Sequence, residues 1–173
     1  MMAEARVRLS DDHHAVSEVL KQLLTALANK DLEMSYSRLD LLWARLAVHI
    51  RAEHLHLFPA VTSHMPDSTE AQAIVESLRA DHDFFMHELA RAIGLLRELR
   101  KTNDEAKWDV VGEIVREVEK RLATHNEIEE SQIYRWSCTI LTEPEQLQLL
   151  ARINAELENR PPRFSEEAWA NSL

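Results

Sequence analysis

Glycine and proline are nearly missing from this chain: 173 residues contain two glycines and five prolines. Helix interiors tolerate neither residue well, so their scarcity predicts an all-helical chain. Cysteine occurs once, at Cys138. An intrachain disulfide is therefore excluded, as are sulfur-rich metal sites and Cys-X-X-Cys redox chemistry. No stretch approaches the roughly 18 consecutive apolar residues that a membrane span requires, and "MMAEARVRLSDDHH" has no apolar signal core. The expectation is a cytoplasmic protein. Basic residues are outnumbered, 20 against 30, giving a net charge of −10. Nucleic acid and anionic membrane surfaces favour basic patches, so neither is expected as a partner. The acidic balance fits a soluble chain that attracts cations. What remains is ordinary for one globular domain: 45% hydrophobic and 29% charged residues, in a chain long enough to bury a core.

The apolar residues follow helical period in four long segments. The first opens at Ser10, an N-cap followed by acids, and carries His13, Val16, Leu20, Leu23 and Leu27 on one face before fading near Asn29. The second starts around Leu32, with Leu39, Leu42, Leu46, His49, Glu53 and Leu57 on its stripe, and Pro59 is expected to end it. The third runs from about Thr69 to Lys101 with Ile74, Leu78, His82, Phe85, Leu89, Ile93 and Leu96 inward. The fourth spans roughly Asp104 to Cys138 with Trp108, Val111, Val115, Val118, Leu122, His125, Glu129 and Ile133 inward. "TEPE" gives a capping box from Thr142 to Glu145 that opens a short fifth helix to about Glu158. "NRPPRFSEEAWANSL" reads as an arm on the surface or on a partner chain, a route to a homo-oligomer. The predicted fold is an all-α, up-down-up-down four-helix bundle with a short C-terminal fifth helix and arm.

Only histidine and glutamate interrupt the four stripes, and they do so in a repeating order. "HIRAEHLHLFP" in the second segment matches "HNEIEESQIYR" in the fourth: His49 with Glu53, His125 with Glu129, and Phe58 against Tyr134. Asp12-His13 in the first segment matches Asp81-His82 in the third. The chain thus reads as two copies of one helical hairpin. A glutamate on a core-facing stripe is costly to desolvate unless paired. Two glutamates and four histidines in one bundle call for cations, which the carboxylates can bridge and neutral imidazoles can bind. Histidine and glutamate four apart lie only about 40° apart around a helix, so both can reach one ion. Ligands to a dinuclear metal site are therefore expected at His13, His49, Glu53, His82, His125 and Glu129, with the glutamates as bridges.

Over about residues 8–140 these motifs ("DDHH", "HIRAEHLHLFP", "ADHDFF" and "HNEIEESQIY") resemble the hemerythrin-like, HHE cation-binding family. The resemblance implies a non-haem di-iron centre inside the bundle. It also implies a protein that binds dioxygen, senses oxygen or iron, or handles peroxide or nitric oxide. Manganese and zinc remain open alternatives to iron. Two departures from oxygen-carrying members stand out. Leu78 occupies the place of a third-helix histidine, and Glu129 follows His125 by four residues where an aspartate at five is usual. Fewer imidazoles leave coordination positions open, favouring sensing or redox chemistry over simple carriage. No nucleophile–base arrangement or glycine-rich phosphate loop is present, so any turnover would belong to the metal. A regulatory module switched by metal occupancy and a metal-free structural bundle are the rival readings.

The remaining histidines are weighed by their angle to the stripes. His87 points away and is expected at the surface, His14 at the surface or supporting the ligands, and His64 in a loop. His54 and its repeat partner Glu130 read as solvated or as occasional extra ligands, with solvent favoured. His56 lies near the stripe and is expected to support the ligands. The tryptophans Trp43, Trp108 and Trp136 read as core and Cys138 as an inert thiol; Tyr134 could donate a hydrogen bond near the metals, but its match to Phe58 favours packing. Asp12 and Asp81 are open between capping or solvated acids and groups that orient neighbouring imidazoles.

Overall fold

The computed structural model describes residues 4–102 and 104–160, with side chains from residue 8 onward. Among them there is no strand. The elements are α1 (Glu4–Ala28), α2 (Leu32–Ala52), a π-helical turn π1 (Glu53–Leu57), α3 (Phe58–His64), α4 (Thr69–Thr102), α5 (Ala106–Ile128), a second π-turn π2 (Glu129–Ile133), α6 (Tyr134–Ile140) and α7 (Glu143–Glu158). Glu53, Phe58, Glu129 and Tyr134 all keep right-handed helical backbone, so α2–π1–α3 and α5–π2–α6 are two continuous rods. With α1 and α4 they form the expected up-down-up-down bundle. Around it α1 packs on α2 and α5, and α4 on the same two helices.

The stripes dictate this packing. Every stripe residue from Leu39 to Leu57 and from Trp108 to Ile133 is buried, as are His13, Val16, Leu20, Leu23 and Leu27. On α4, Leu78, His82, Phe85, Leu89 and Leu96 are buried, while Ile74 and Ile93 are half-buried against the core. Trp108 is buried and Trp43 and Trp136 pack on the core from its edge. None of the described helices is long and apolar enough to cross a membrane. The arm beyond residue 160 lies outside the described residues.

Three boundaries differ from expectation. The first helix reaches back past Ser10 to Glu4, because Glu4, Ala5 and Arg6 are good helix formers and carry the helix through the serine. Pro59 does not end the second rod, which runs to His64. The proline sits in the first turn of α3, directly after the π-turn, where a missing N–H is cheapest. The second rod stops instead at Met65, before Pro66. Near Cys138, the fourth rod runs on to Ile140.

At the other end of the second rod, α1 closes with a pair of bonds from Lys30 N–H to the Leu27 carbonyl and from Asp31 N–H to the Ala26 carbonyl. Lys30 takes φ of 53°, a left-handed conformation that suits glycine. Asp31 then caps α2 by accepting from Met34 N–H. Relieving about 1–2 kcal/mol of left-handed strain should outweigh the exposed ion pair of Lys30 with Glu105. Lys30→Gly is therefore expected to raise the melting temperature by roughly 2–4 °C, read by circular dichroism.

The fifth helix lies across α1, α2 and π1. Its capping box forms as expected: Glu145 accepts from the Thr142 backbone N–H at 2.8 Å and from its hydroxyl at 2.6 Å. Those bonds, with His64 beside them, hold the Glu145 carboxyl down at about 2. Further along, Glu156 takes Arg51 and stands 3.7 Å from His56 Nε2, tying α7 to the outer face of the second rod.

Candidate metal centre

Each π-turn begins at a stripe glutamate. The Glu53 carbonyl accepts from Phe58 N–H and the Glu129 carbonyl from Tyr134 N–H, five residues on in both cases. Single π-turns inside α-helices recur at functional sites, and here one stands in each half of the repeat. Proline is not their common cause, since Pro59 follows only the first. Both glutamate side chains are 0% exposed.

Around those two carboxylates stand four imidazoles. Donor atoms of His13, His49, Glu53 and Glu129 form one group within 4.8 Å of one another, and those of Glu53, His82, His125 and Glu129 form a second. All six residues expected from the sequence are therefore brought together, and both glutamates are shared by the two groups. Every imidazole turns Nε2 inward: His49 to Glu53 at 3.2 Å, His125 to Glu129 at 3.1 Å, His13 to Glu129 at 3.3 Å, and His82 to Glu53 at 3.4 Å. His49 Nε2, Glu53 Oε2 and Glu129 Oε1 are fully buried and make no hydrogen bond. Buried polar atoms are ordinarily satisfied. An orphaned set of nitrogen and oxygen donors around one spot is what a cation would satisfy, so the residues fit a dinuclear metal site.

The Nδ1 atoms all face outward to partners. His49 Nδ1 bonds Asp12 at 2.9 Å, and Arg45 donates to the same carboxylate at 2.8 Å. His125 Nδ1 bonds Asp81 at 3.2 Å, and Arg121 donates to it at 2.7 Å. His13 Nδ1 bonds Glu130 at 3.0 Å, and His82 Nδ1 bonds His54 Nε2 at 2.8 Å. Such outer bonds fix the orientation of ligating imidazoles and set their basicity. Arg79 stands at 3.1 Å from the other nitrogen of His54.

Burial works against every charge here, and the partners decide which charges survive. For His49 burial is outweighed by Glu53 and Asp12, which hold its imidazole well above the ordinary value. For His125 burial is likewise outweighed by Glu129, Glu53 and Asp81. For His82 the support of Glu129 is not enough: burial, with His125, His54 and His49 nearby, pushes it down to about 2. Burial and the facing Glu129 raise Glu53, whereas His125 and His13 overcome burial and hold Glu129 well below its ordinary value. Burial and both glutamates raise Tyr134 well above the phenol range.

Several residues are placed differently from expectation. His54 is not solvated: it is half-buried and engages His82, because a π-turn rotates each residue through less than an α-helix's ~100° and keeps His54 near the face of Glu53. Glu130, also expected in solvent, bonds His13 by the same device. His56 does not support the ligands but faces Glu156 of α7. Tyr134 is more than packing; its hydroxyl lies 2.9 Å from Glu53 Oε1 and 3.1 Å from His13 Nε2. His64 ends α3 instead of lying in the loop and pairs with Glu145. His14 and His87 are exposed, as expected. Asp12 and Asp81 orient imidazoles, but on the following helix and not beside them in sequence. Leu78 is buried in the apolar core one turn before His82.

Three residues around the centre escaped the sequence reading, Arg79, Arg45 and Arg121. For the last two a signal was present: "RLAVH" and "RLATH" place the same arginine four residues before each second-helix histidine.

Residues 5–137 match the family model described as Hemerythrin HHE cation binding domain. No curated protein and no solved structure gave a significant match.

Proposed function

This chain belongs to the hemerythrin HHE cation-binding family, and from that membership and the donor set we propose a cytoplasmic di-iron protein that binds or reacts with a small oxidant. His13 and His49 would hold one ion and His82 and His125 the other, with Glu53 and Glu129 spanning both. When bound, the irons would supply electrons and coordination positions for dioxygen, peroxide or nitric oxide. The observation that carries this reading is the convergence of four Nε2 atoms and two fully buried carboxylates with orphaned atoms among them.

The protein's own part is to present neutral imidazoles, to hold their orientation through Asp12, Asp81, Glu130 and His54, and to exclude water. Phe58 stacks on His82 with ring planes 10° apart and Phe85 meets His125 edge-on, so apolar rings wall one side. On the other side Tyr134 offers a hydroxyl. Four imidazoles, with Leu78 in place of another, favour sensing or turnover over storage of dioxygen.

Elemental analysis of chain produced in iron-supplemented medium should give close to two irons per chain. Anaerobic Fe(II) protein exposed to air should then develop new visible absorption bands. Persistent bands that vanish under vacuum indicate carriage, and bands that decay with consumption of oxidant indicate turnover. A content well below one metal per chain would leave a structural bundle as the better reading.

One feature favours a regulatory reading beside this one. α7 rests on π1 and is tied to the second rod through Arg51, His56 and Glu156, so occupancy of the centre has a direct path to the C-terminal helix. Hydrogen exchange in α7 that is indifferent to metal loading would remove it.

A further inference from the structure

The two halves of the centre are related by the sequence repeat, yet their outer partners are not alike. Glu130 stands against His13 where the repeat places His54 against His82. Arg79 stands against His54, and its counterpart in the repeat is Ser10, which has no cation to offer.

These substitutions decide where the protons sit. A carboxylate only accepts, so Glu130 takes the Nδ1–H of His13 and leaves its Nε2 lone pair facing inward. Asp12 does the same for His49, and Asp81 for His125, in their neutral forms. A guanidinium only donates, so His54 accepts from Arg79 at Nδ1 and carries its proton on Nε2. That proton goes to His82 Nδ1 at 2.8 Å. Neutral His82 is thereby left with its own proton on Nε2, the inward atom, 2.9 Å from the lone pair of His125 Nε2. The bonds run in one direction from Arg79 through His54, His82 and His125 to Asp81. With all four imidazoles neutral, three present a lone pair to the centre and the fourth presents an N–H. The protons that Glu53 and Asp12 favour on His49, and Glu129 on His125, must leave before an ion enters.

Charge acts in the same sense. The outer partners of His13 and His49 are two carboxylates and one guanidinium, Asp12, Glu130 and Arg45. Those of His82 and His125 are Asp81 and Arg121, with Arg79 acting through His54 and Asp83 opposing it there. A cation is favoured more beside the first set, which is net negative, than beside the second, which is balanced.

We infer that the centre is built unequal, with one resident divalent cation in the His13–His49 half and one weakly held, exchangeable cation in the His82–His125 half, and that Arg79 and His54 set the difference. This inference rests on the dinuclear reading above. To ligate through Nε2, His82 must pass its proton to Nδ1, which turns His54 into an acceptor there and aims a His54 N–H at the Arg79 guanidinium. The first half has only to release the His49 proton and needs no such chain of rearrangement. Outer-partner changes alter metal affinity by about 10–100-fold, and a gap of that size is expected between the halves.

The test is a Zn(II) titration of the metal-stripped full chain, followed by imidazole ¹⁵N spectroscopy. At one equivalent, the Nε2 resonances of His13 and His49 should move to metal-bound positions while those of His82 and His125 stay. The second equivalent should bind roughly 10–100-fold more weakly and move the remaining pair. His54→Glu gives His82 a carboxylate partner and should narrow the gap. Arg79→Met, a milder change at a half-buried position, should narrow it in the same direction and serves should the first variant not fold. Even filling at one equivalent, or filling of His82 and His125 first, overturns the inference while leaving two ions bound. An unchanged gap in Arg79→Met overturns the assignment to Arg79 and His54. Failure of any of the six residues to respond to Zn(II) would instead bring down the dinuclear reading.

Discussion

Glu53→Gln and Glu129→Gln should both abolish tight binding of the metal pair, yet move the stability of metal-stripped protein in opposite directions. Each substitution removes one carboxylate that both ion positions share, and replacing it with an amide forfeits the charge that two cations require. Without metal the two acids differ. Burial and Glu129 raise Glu53 above 4.5, so its ionisation in the folded chain is disfavoured, and stability is lost as pH rises through that value. Glu129 is held below 4.5 by His125 and His13, so its ionisation supports the fold above that pH, and the support fades as acid protonates it. At pH 7 metal-stripped Glu53→Gln should therefore gain on the order of 1 kcal/mol, with Tyr134 still able to donate to the amide oxygen. Glu129→Gln should lose about 2–3 kcal/mol, because the His125 imidazole loses its buried counter-charge. In melting temperature these are a rise of roughly 2–4 °C and a fall of about 5–10 °C. Melts of chelator-treated proteins decide it, and shifts of the same sign would contradict the assigned roles. Repeating them at pH 4 should erase the Glu53→Gln gain, since folded Glu53 is then already mostly neutral, whereas Glu129, held well below 4.5, stays ionised there and its loss persists.

The opposed behaviour of those two acids shows how far the sequence could be read. Their presence on the stripes, their spacing from His49 and His125, and the twofold order of the chain were all visible, because α-helical period alone puts them inward. The bundle followed from the same periodicity and from the scarcity of glycine and proline. What periodicity could not show is the consequence of a π-turn. An α-helical wheel puts His54 and Glu130 about 100° from the ligand face. The wider turn at Glu53 and Glu129 narrows that step, and both side chains reach the outward Nδ1 atoms of His82 and His13. The same turn lets the second rod continue through Pro59, which on α-helical rules reads as a stop. Side-chain pairing between helices was equally hidden. Asp12 and Asp81 read equally well as capping or solvated acids and as partners of neighbouring imidazoles, while their carboxylates reach His49 and His125 on the next helix. Tyr134 was set beside Phe58 by the repeat, and the repeat is broken there: the phenol oxygen meets Glu53 and His13, whereas Phe58 offers His82 only a ring face. Departures from symmetry at His54/Glu130, Phe58/Tyr134 and Ser10/Arg79 all fall at the centre, where a twofold scaffold acquires two different sides.

Loading the centre with metal should raise the melting temperature by far more than any single substitution does. A ligand bound only by the folded state stabilises it by about 4 kcal/mol at a thousandfold excess over its dissociation constant. The unfolded chain offers six scattered side chains instead of a site, so nearly all the binding energy appears as folding energy. With one ion held at that excess, and at roughly 2–4 °C per kcal/mol for a chain of this size, an increase of about 8–16 °C is expected, and more when the second ion is also held. The protection should be local as well as global. Glu53 and Glu129 each begin a turn whose hydrogen-bond register differs from the helices on both sides, and a register change is where a rod opens most readily. Ions spanning these two residues would tie π1 to π2 and hold both turns shut. Amides of residues 53–58 and 129–134 should therefore gain the most protection from exchange on metal loading, ahead of the apolar midsections around Leu42 and Val115, which are buried without help from any ligand. Uniform protection along all four rods would mean that metal acts only through global stability, and the π-turns would lose their role as the hinge points that the centre clamps.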